Sequence, residues 1–263
     1  MNRAWGNWVL YVLGLVLPSP CLSCEGPTTT KCPHLGLCVA CRGRLSRPGA
    51  ACHLCGEPIA TALIPPAYRC GRCRRHPPAF DRLVAAYLYR QPLDAVVQHL
   101  KYRRLAYLGR HLAMSIAMEA GDALIDGDLV TAVPLHWRRQ LSRGFNQASE
   151  IAYPLARSLG IEMRRTLRRT HATRPQSALS RTDRQRNPTG VFSARPNARL
   201  AGRTVLLVDD VMTTGATLHA AAAVLKAAGA QRVIGVVAGW TPPPQQRGGS
   251  VGRVLETPSV RRP

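Results

Sequence analysis

Two adjacent carboxylates, Asp209 and Asp210, close the apolar run V-L-L-V, and Thr213, Thr214, Gly215, Ala216 and Thr217 follow them. A turn built of Thr and Gly presents backbone N–H groups with little side-chain bulk. It leads into an alanine-rich stretch, Leu218 to Ala228, that reads as a helix stopped by Gly229. The unpaired N–H groups and positive dipole end of such a helix attract a phosphate, and the Thr hydroxyls can donate to the same oxygens. Two carboxylates beside a phosphate cradle repel a bare phosphate. They fit hydroxyls, a cation or a magnesium-bound ligand instead. A sugar phosphate satisfies both halves. The bland alternative is a strand, turn and helix with an incidental acid pair.

The second constellation is sulfur. All nine cysteines fall before residue 74, and eight of them make four C-x-x-C pairs: Cys21/Cys24, Cys38/Cys41, Cys52/Cys55 and Cys70/Cys73. The inner gaps are nearly equal, so the segment reads as a duplicated unit of two knuckles each. A C-x-x-C turn puts two thiolates on one side, and two such turns complete a tetrahedral Zn–S4 site. Two structural zinc ions are expected, grouped by sequence neighbours in preference to interleaving. The competing reading is a disulfide framework in a secreted domain, which the odd ninth cysteine, Cys32, fits poorly.

Elements must position these groups. Thr204–Val208 is β-branched and apolar without alternation, as in a strand buried on both faces of a parallel sheet. Leu83–Tyr89, Asp128–Pro134 and Arg232–Trp240 read as further strands; Leu93–Leu100, Leu105–Glu119 and Ala148–Leu159 read as helices. In an open parallel sheet the turn after Asp210 lies at the carboxyl ends of the strands, where ligands bind. The strand ending at Pro134 runs into Arg138, Arg139, Arg143 and Gly144, a second anion-seeking loop at that edge whose alternative is an exposed basic rim. Lys101-Tyr102-Arg103-Arg104 reads as a solvated charged turn between helices.

Net charge is +22, with 36 basic against 14 acidic residues. That favours polyanionic ligands: phosphates, nucleic acid or an anionic surface. From Arg164 to Arg203 there are eleven Arg and one acid, Asp183, with weak hydrophobic periodicity. Met163–Arg199 therefore reads as an extended mobile loop. Aromatic residues are almost absent from it, which favours backbone contact over base reading if it meets nucleic acid. The run Trp8–Leu17 imitates a signal peptide, but Pro18 and Pro20 stand where a small-residue cleavage site is needed. It is too short to span a bilayer, so a short amphipathic helix packed on the protein is preferred and no integral membrane association is expected. The tail from Thr241 is rich in Pro, Gly, Gln and Arg and is expected to be disordered.

V-L-L-V-D-D-V-M-T-T-G-A-T resembles the phosphoribosyl-pyrophosphate loop of type I phosphoribosyltransferases. That resemblance implies that Asp209 and Asp210 take the ribose hydroxyls at the catalytic position, while Thr213, Thr214, Gly215, Ala216 and Thr217 hold the 5-phosphate. With V-P-L-H-W-R-R-Q-L-S-R-G-F-N-Q and the doubled C-x-x-C front end, the chain resembles the ComF family, associated with DNA uptake during natural competence. By position, Arg138, Arg139, Arg143 and Gly144 would take the donor's pyrophosphate. A flexible loop that closes over the site in phosphoribosyltransferases would correspond to the basic segment, with Thr173, Gln176, Arg181, Arg184 and Asn187 as candidate donors. Asn146 and Gln147 match the family's signature without a role that can be read from the residues. The implied fold is a type I phosphoribosyltransferase-like α/β domain, a parallel sheet flanked by helices, behind a small zinc-ribbon module. The expected division is 1–20, 21–78, 79–240 and 241–263.

Two functions are carried forward. One is a cytoplasmic phosphoribosyltransferase using phosphoribosyl pyrophosphate with Mg2+. The other is a non-catalytic single-stranded-DNA-binding protein working with DNA-uptake proteins on the same fold. No purine or pyrimidine pocket and no strong general base stands out in the sequence.

Overall fold

The computed structural model describes residues 20–28, 34–59, 65, 67–103, 105–170 and 191–241, without the side chains of 34 and 137–139. The expectations placed on 1–19, on Cys32, on the tail from 242 and on Thr173, Gln176, Arg181, Arg184 and Asn187 lie outside these residues. Two short helices sit in the cysteine-rich part, α1 (Val39–Gly43) and α2 (Gly71–Arg75). After them come β1 (Arg82–Leu88), α3 (Leu93–Tyr102), α4 (Tyr107–Ala120), β2 (Leu129–Ala132), α5 (Trp137–Arg143) and α6 (Gln147–Leu159). The chain continues through β3 (Glu162–Met163), β4 (Leu167–Arg169), β5 (Phe192–Ala194), β6 (Thr204–Met212), α7 (Ala216–Ala227) and β7 (Arg232–Trp240).

Five strands form one sheet in the order β1-β7-β6-β2-β3, and every pairing in it is parallel. The apolar runs that lack alternation are the strands buried on both faces: β6 and β7 show almost no exposed position. Successive residues of a strand point to opposite faces. Leu206, Val208, Ile234 and Val236 accordingly join one core with Leu100 of α3, Leu112 of α4 and Ile151 of α6. Val205, Leu207, Val233 and Val237 join the other core with Leu218 and Leu225 of α7. The two cysteine repeats divide the same way: Cys21 and Cys41 belong to the first core, Cys52, Cys55, Cys70 and Cys73 to the second.

Three expectations are corrected. Strand β6 does not end before the acid pair but runs on to Met212, because Val211 and Met212 keep their register with Gly239 and Trp240. The anion-seeking segment after β2 is not a loop: Trp137–Arg143 winds into α5, as a run free of Gly and Pro allows. The stretch Met163–Arg199 is not uniformly extended either. Its ends form the antiparallel pair β4–β5, anchored by buried Leu167, Val191 and Phe192. Each of these strands is three residues long with one buried position, too short to show an alternation in the sequence.

Candidate functional site

Because Asp209 and Asp210 lie within a strand, alternation separates them, and only Asp210 pairs directly with a cation among the described residues. Asp210 is buried and turns to the face covered by α3, where Lys101 Nζ stands 3.0 Å from its Oδ2. Asp209 turns the other way, with its Oδ1 accepting from the Asp210 backbone N–H at 2.9 Å. Burial, and after it the Asp210 carboxylate, push Asp209 up to about 7. The Asp210 amide and the charges of Lys101 and Arg169 oppose that rise. The pair is thus two unlike carboxyls: one paired with a lysine, the other held near neutrality in its proton affinity.

The chain then bends through 213–215 into α7. Gly215 has φ 79°, a left-handed conformation that any side chain would strain, so the glycine is what lets a helix start so soon after the strand. Thr213, Thr214, Ala216 and Thr217 are exposed. Thr214 Oγ1 accepts from Ala216 N at 3.4 Å, and the first turn of α7 carries no acidic residue that would compete with an incoming anion. The five turn residues therefore stand together at the carboxyl edge of the sheet, as a phosphate cradle requires.

Strand β2 neighbours β6, with Ala132 opposite Val208 and Val133 N donating to Val208 O. The segment leaving β2 consequently runs beside the acid pair. Arg138 and Arg139 lie on α5, and Arg143 ends it, followed by Gly144. The Arg143 guanidinium lies 5.3 Å from the centroid of the Tyr102 ring, close enough for a cation–π contact. Asn146 explains part of the N-Q signature. Its Oδ1 accepts from Ala148 N and caps α6, while its Nδ2 donates to Val133 O, so one side chain fixes the return from α5 to the end of β2. A cavity of about 320 Å3 opens beyond this return, lined among others by Gln140, Gly144, Asn146, Glu150, Arg165 and Arg195. No residue of the acid pair or the Thr-Gly turn lines it.

Lys101 and Tyr102 correct the expectation of a solvated charged turn. Helix α3 extends through both, and together they connect the acid pair to α5. Tyr89, where the chain leaves β1, belongs to the same neighbourhood: burial first, then the charges of Asp94 and Asp210, raise its phenol. Nothing local in the sequence marks these three, because an ion pair between helix α3 and strand β6 is set by the strand order.

In the cysteine-rich part, Cys21, Cys24, Cys38 and Cys41 form one group and Cys52, Cys55, Cys70 and Cys73 another, each with its sulfur atoms within 4.8 Å of one another. Grouping by sequence neighbours is what the fold produces. Four sulfurs bound tetrahedrally at about 2.3 Å from zinc stand about 3.8 Å apart, and Cys24–Cys38 and Cys55–Cys70 each measure 3.7 Å. The local wiring is repeated: Cys38 N donates to Cys21 Sγ, and Cys70 N to Cys52 Sγ, both at 3.3 Å. Burial raises the Cys21 thiol, yet the amides of Cys38, Ser23 and Cys24 outweigh it and bring it down to about 6. Burial and the neighbouring thiols push Cys41 up to about 12. The donor sets fit a thiolate-bound zinc, and all eight cysteines are free of disulfides.

Among the described residues, no helix is long and apolar enough to cross a membrane.

Residues 141–246 match the family described as Phosphoribosyl transferase domain, which defines the class of the sheet domain. The chain is 34% identical over 225 residues to the DNA utilization protein YhgH of Salmonella typhimurium, covering 83% of this chain and 96% of that protein. It is 30% identical over 220 residues to Competence protein F of Haemophilus influenzae, covering 81% and 93%. Among solved structures it is similar to adenine phosphoribosyltransferase from Saccharomyces cerevisiae, 20% identical over 53% of this chain and 71% of that chain, with a TM-score of 0.35; a likeness so distant adds nothing to the assignment. The chain belongs to the ComF family, and in this chain the phosphoribosyltransferase-type sheet domain follows an N-terminal pair of tetracysteine groups.

Proposed function

We propose that this protein binds phosphoribosyl pyrophosphate with Mg2+ at the carboxyl edge of its sheet and transfers the phosphoribosyl group to an acceptor. The observation that carries the reading is the adjacency of β2 and β6, from whose carboxyl ends the segment leading to the arginines of α5 and the acid pair with its Thr-Gly turn both depart. Thr213, Thr214, Gly215, Ala216 and Thr217 take the 5-phosphate. Asp209 and Asp210 accept the ribose hydroxyls, and Arg138, Arg139, Arg143 and Gly144 take the pyrophosphate. The acceptor's lone pair forms the new bond to the anomeric carbon as the bond to pyrophosphate breaks, and pyrophosphate departs with both bonding electrons. Magnesium, when bound, neutralises the charge developing on that leaving group. The protein's own part is positioning and charge stabilisation.

Each tetracysteine group holds one structural zinc ion, since four thiolates leave no open position. The protein works in the cytoplasm, in line with thiols kept free for metal.

Calorimetry with phosphoribosyl pyrophosphate and Mg2+ tests the reading. The double variant Asp209→Asn, Asp210→Asn should lose binding while keeping its fold, each lost charge-assisted hydrogen bond weakening it by roughly 1.5–3 kcal/mol. Binding equal to the parent's makes the acid pair structural and ends the proposal.

A second reading is a non-catalytic single-stranded-DNA-binding role with DNA-uptake proteins. Net charge +22 favours it, as do relatives named for DNA utilization and competence. Phosphate-mediated binding of about four to six contacts gives a slope of log affinity against log salt of roughly −3 to −4. Binding indifferent to salt excludes it.

A further inference from the structure

The half-buried ion pair at the acid pair has a geometry that an ordinary surface salt bridge lacks. The side chains of Lys101 and Asp210 are only 20% and 12% exposed. Lys101 sits in the last turn of α3, where the carbonyl end of the helix favours a cation. Its neighbour Tyr102 is 70% exposed and is held under Arg143 of α5. Two consecutive residues thus join the strand carrying the acids to the helix carrying the arginines. Lys101 engages one oxygen of Asp210, Oδ2, and an ionised carboxyl accepts at both of its oxygens.

We propose that Lys101 is a positioning residue of this site: it holds the Asp210 carboxylate in place as an acceptor for the hydroxyls of a ribose phosphate, and Tyr102 under Arg143 fixes the helix end that carries it. The inference rests on the reading of the acid pair as the hydroxyl acceptor. Three groups face the pair from the elements packed against it: Lys101 from α3, Tyr89 from the end of β1 and Arg169 from β4. Lys101 alone makes a direct ion pair with either acid among the described residues. Removing it leaves Asp210 a buried charge without its counter-charge, free to take a proton or another rotamer.

The test compares ligands that differ in hydroxyls. Full-length parent, Lys101→Met and Lys101→Arg are titrated calorimetrically with ribose 5-phosphate, with phosphoribosyl pyrophosphate plus Mg2+, and with inorganic pyrophosphate. Lys101→Met should weaken both ribose phosphates about tenfold, the value of one charge-assisted hydrogen bond, while pyrophosphate stays within about twofold. Lys101→Arg should restore the ribose phosphates, because it keeps the charge. Equal weakening of all three ligands would mean that Lys101 acts only as bulk positive charge, and tighter binding of ribose phosphates that it competes for Asp210; either overturns the proposal. A parent that binds ribose 5-phosphate no better than inorganic phosphate, titrated as a fourth ligand, instead overturns the acid-pair reading beneath it. A ligand-free arm follows the Asp209 carboxyl by carbon-13 detected titration. Lys101 opposes proton binding at Asp209, so its removal should move that titration to higher pH and Lys101→Arg should move it back. An unmoved midpoint shows that the lysine does not reach the acid pair electrostatically.

Discussion

In the first cysteine repeat Cys24 is exposed and Cys38 half-buried, whereas all four cysteines of the second are buried. The wiring inside the two is the same. Pro20 bridges Pro27 and Ala51 bridges Pro58; Cys21 N donates to Gly26 O and Cys52 N to Glu57 O, each at 2.8 Å. One difference between corresponding positions falls on a left-handed backbone conformation. Glu25 holds φ 60° where the second repeat has Gly56 at φ 70°. The surroundings differ more. The second repeat lies under the last strand, with Trp240 Nε1 donating to Cys55 O at 2.9 Å, and an added Cβ on Gly56 would come within 2.9 Å of Leu83. The first repeat meets the other core through Leu35 and Leu37 while leaving one edge of its sulfur group in solvent. One motif duplicated on two faces of a sheet has become a covered site and an open one. Spacing fixes the ligand set, and the neighbouring strands fix its accessibility.

The comparison breaks hardest at the ligands. Cys52→Ser should abolish soluble, cooperatively folded protein, since it removes metal-linked folding free energy inside the second core. Cys24→Ser should leave a folded chain with about one zinc per molecule, read by metal analysis and calorimetry. If the two variants behave alike, the exposure difference has no energetic meaning.

Metal release sharpens the same contrast. With a chromogenic chelator in excess, zinc should leave in two phases of about one equivalent each, the first at least about tenfold faster, because exchange requires access to a thiolate. Cys24→Ser should remove the fast phase alone. A single phase of two equivalents would contradict the assignment.

The smallest expected effects are at the left-handed position. Gly56→Ala should destabilise by about 1–3 kcal/mol through strain and overpacking, and Glu25→Gly should stabilise by up to about 1 kcal/mol by relieving a left-handed non-glycine residue. Denaturant midpoints at constant slope measure both.

Much of this molecule is legible in its sequence, and the reason is local chemistry. Four C-x-x-C pairs announce two sulfur sites, and a β-branched run closed by Asp209 and Asp210 announces the strand that carries the acids. What escapes is set by strand order. Asn146 looks like any polar residue until β2 lies beside it. Lys101 looks solvated until α3 is packed over β6. That the acids diverge follows from β6 continuing past them, which depends on pairing with Gly239 and Trp240 near the far end of the sheet. The short strands β4 and β5 escape because three residues with one buried position each show no period.

The bond between Trp240 and Cys55 joins residues 185 positions apart, and β1 pairs directly with β7. On the ribosome, at about 5–20 residues per second, the second cysteine repeat therefore waits roughly 10–40 s for its cover. During that interval its four thiols are accessible to metal and to oxidants alike. The order of synthesis thus places loading of the covered site before closure of the sheet, and a chain that finishes translation without its metal lacks the folding free energy that closure over this repeat draws on.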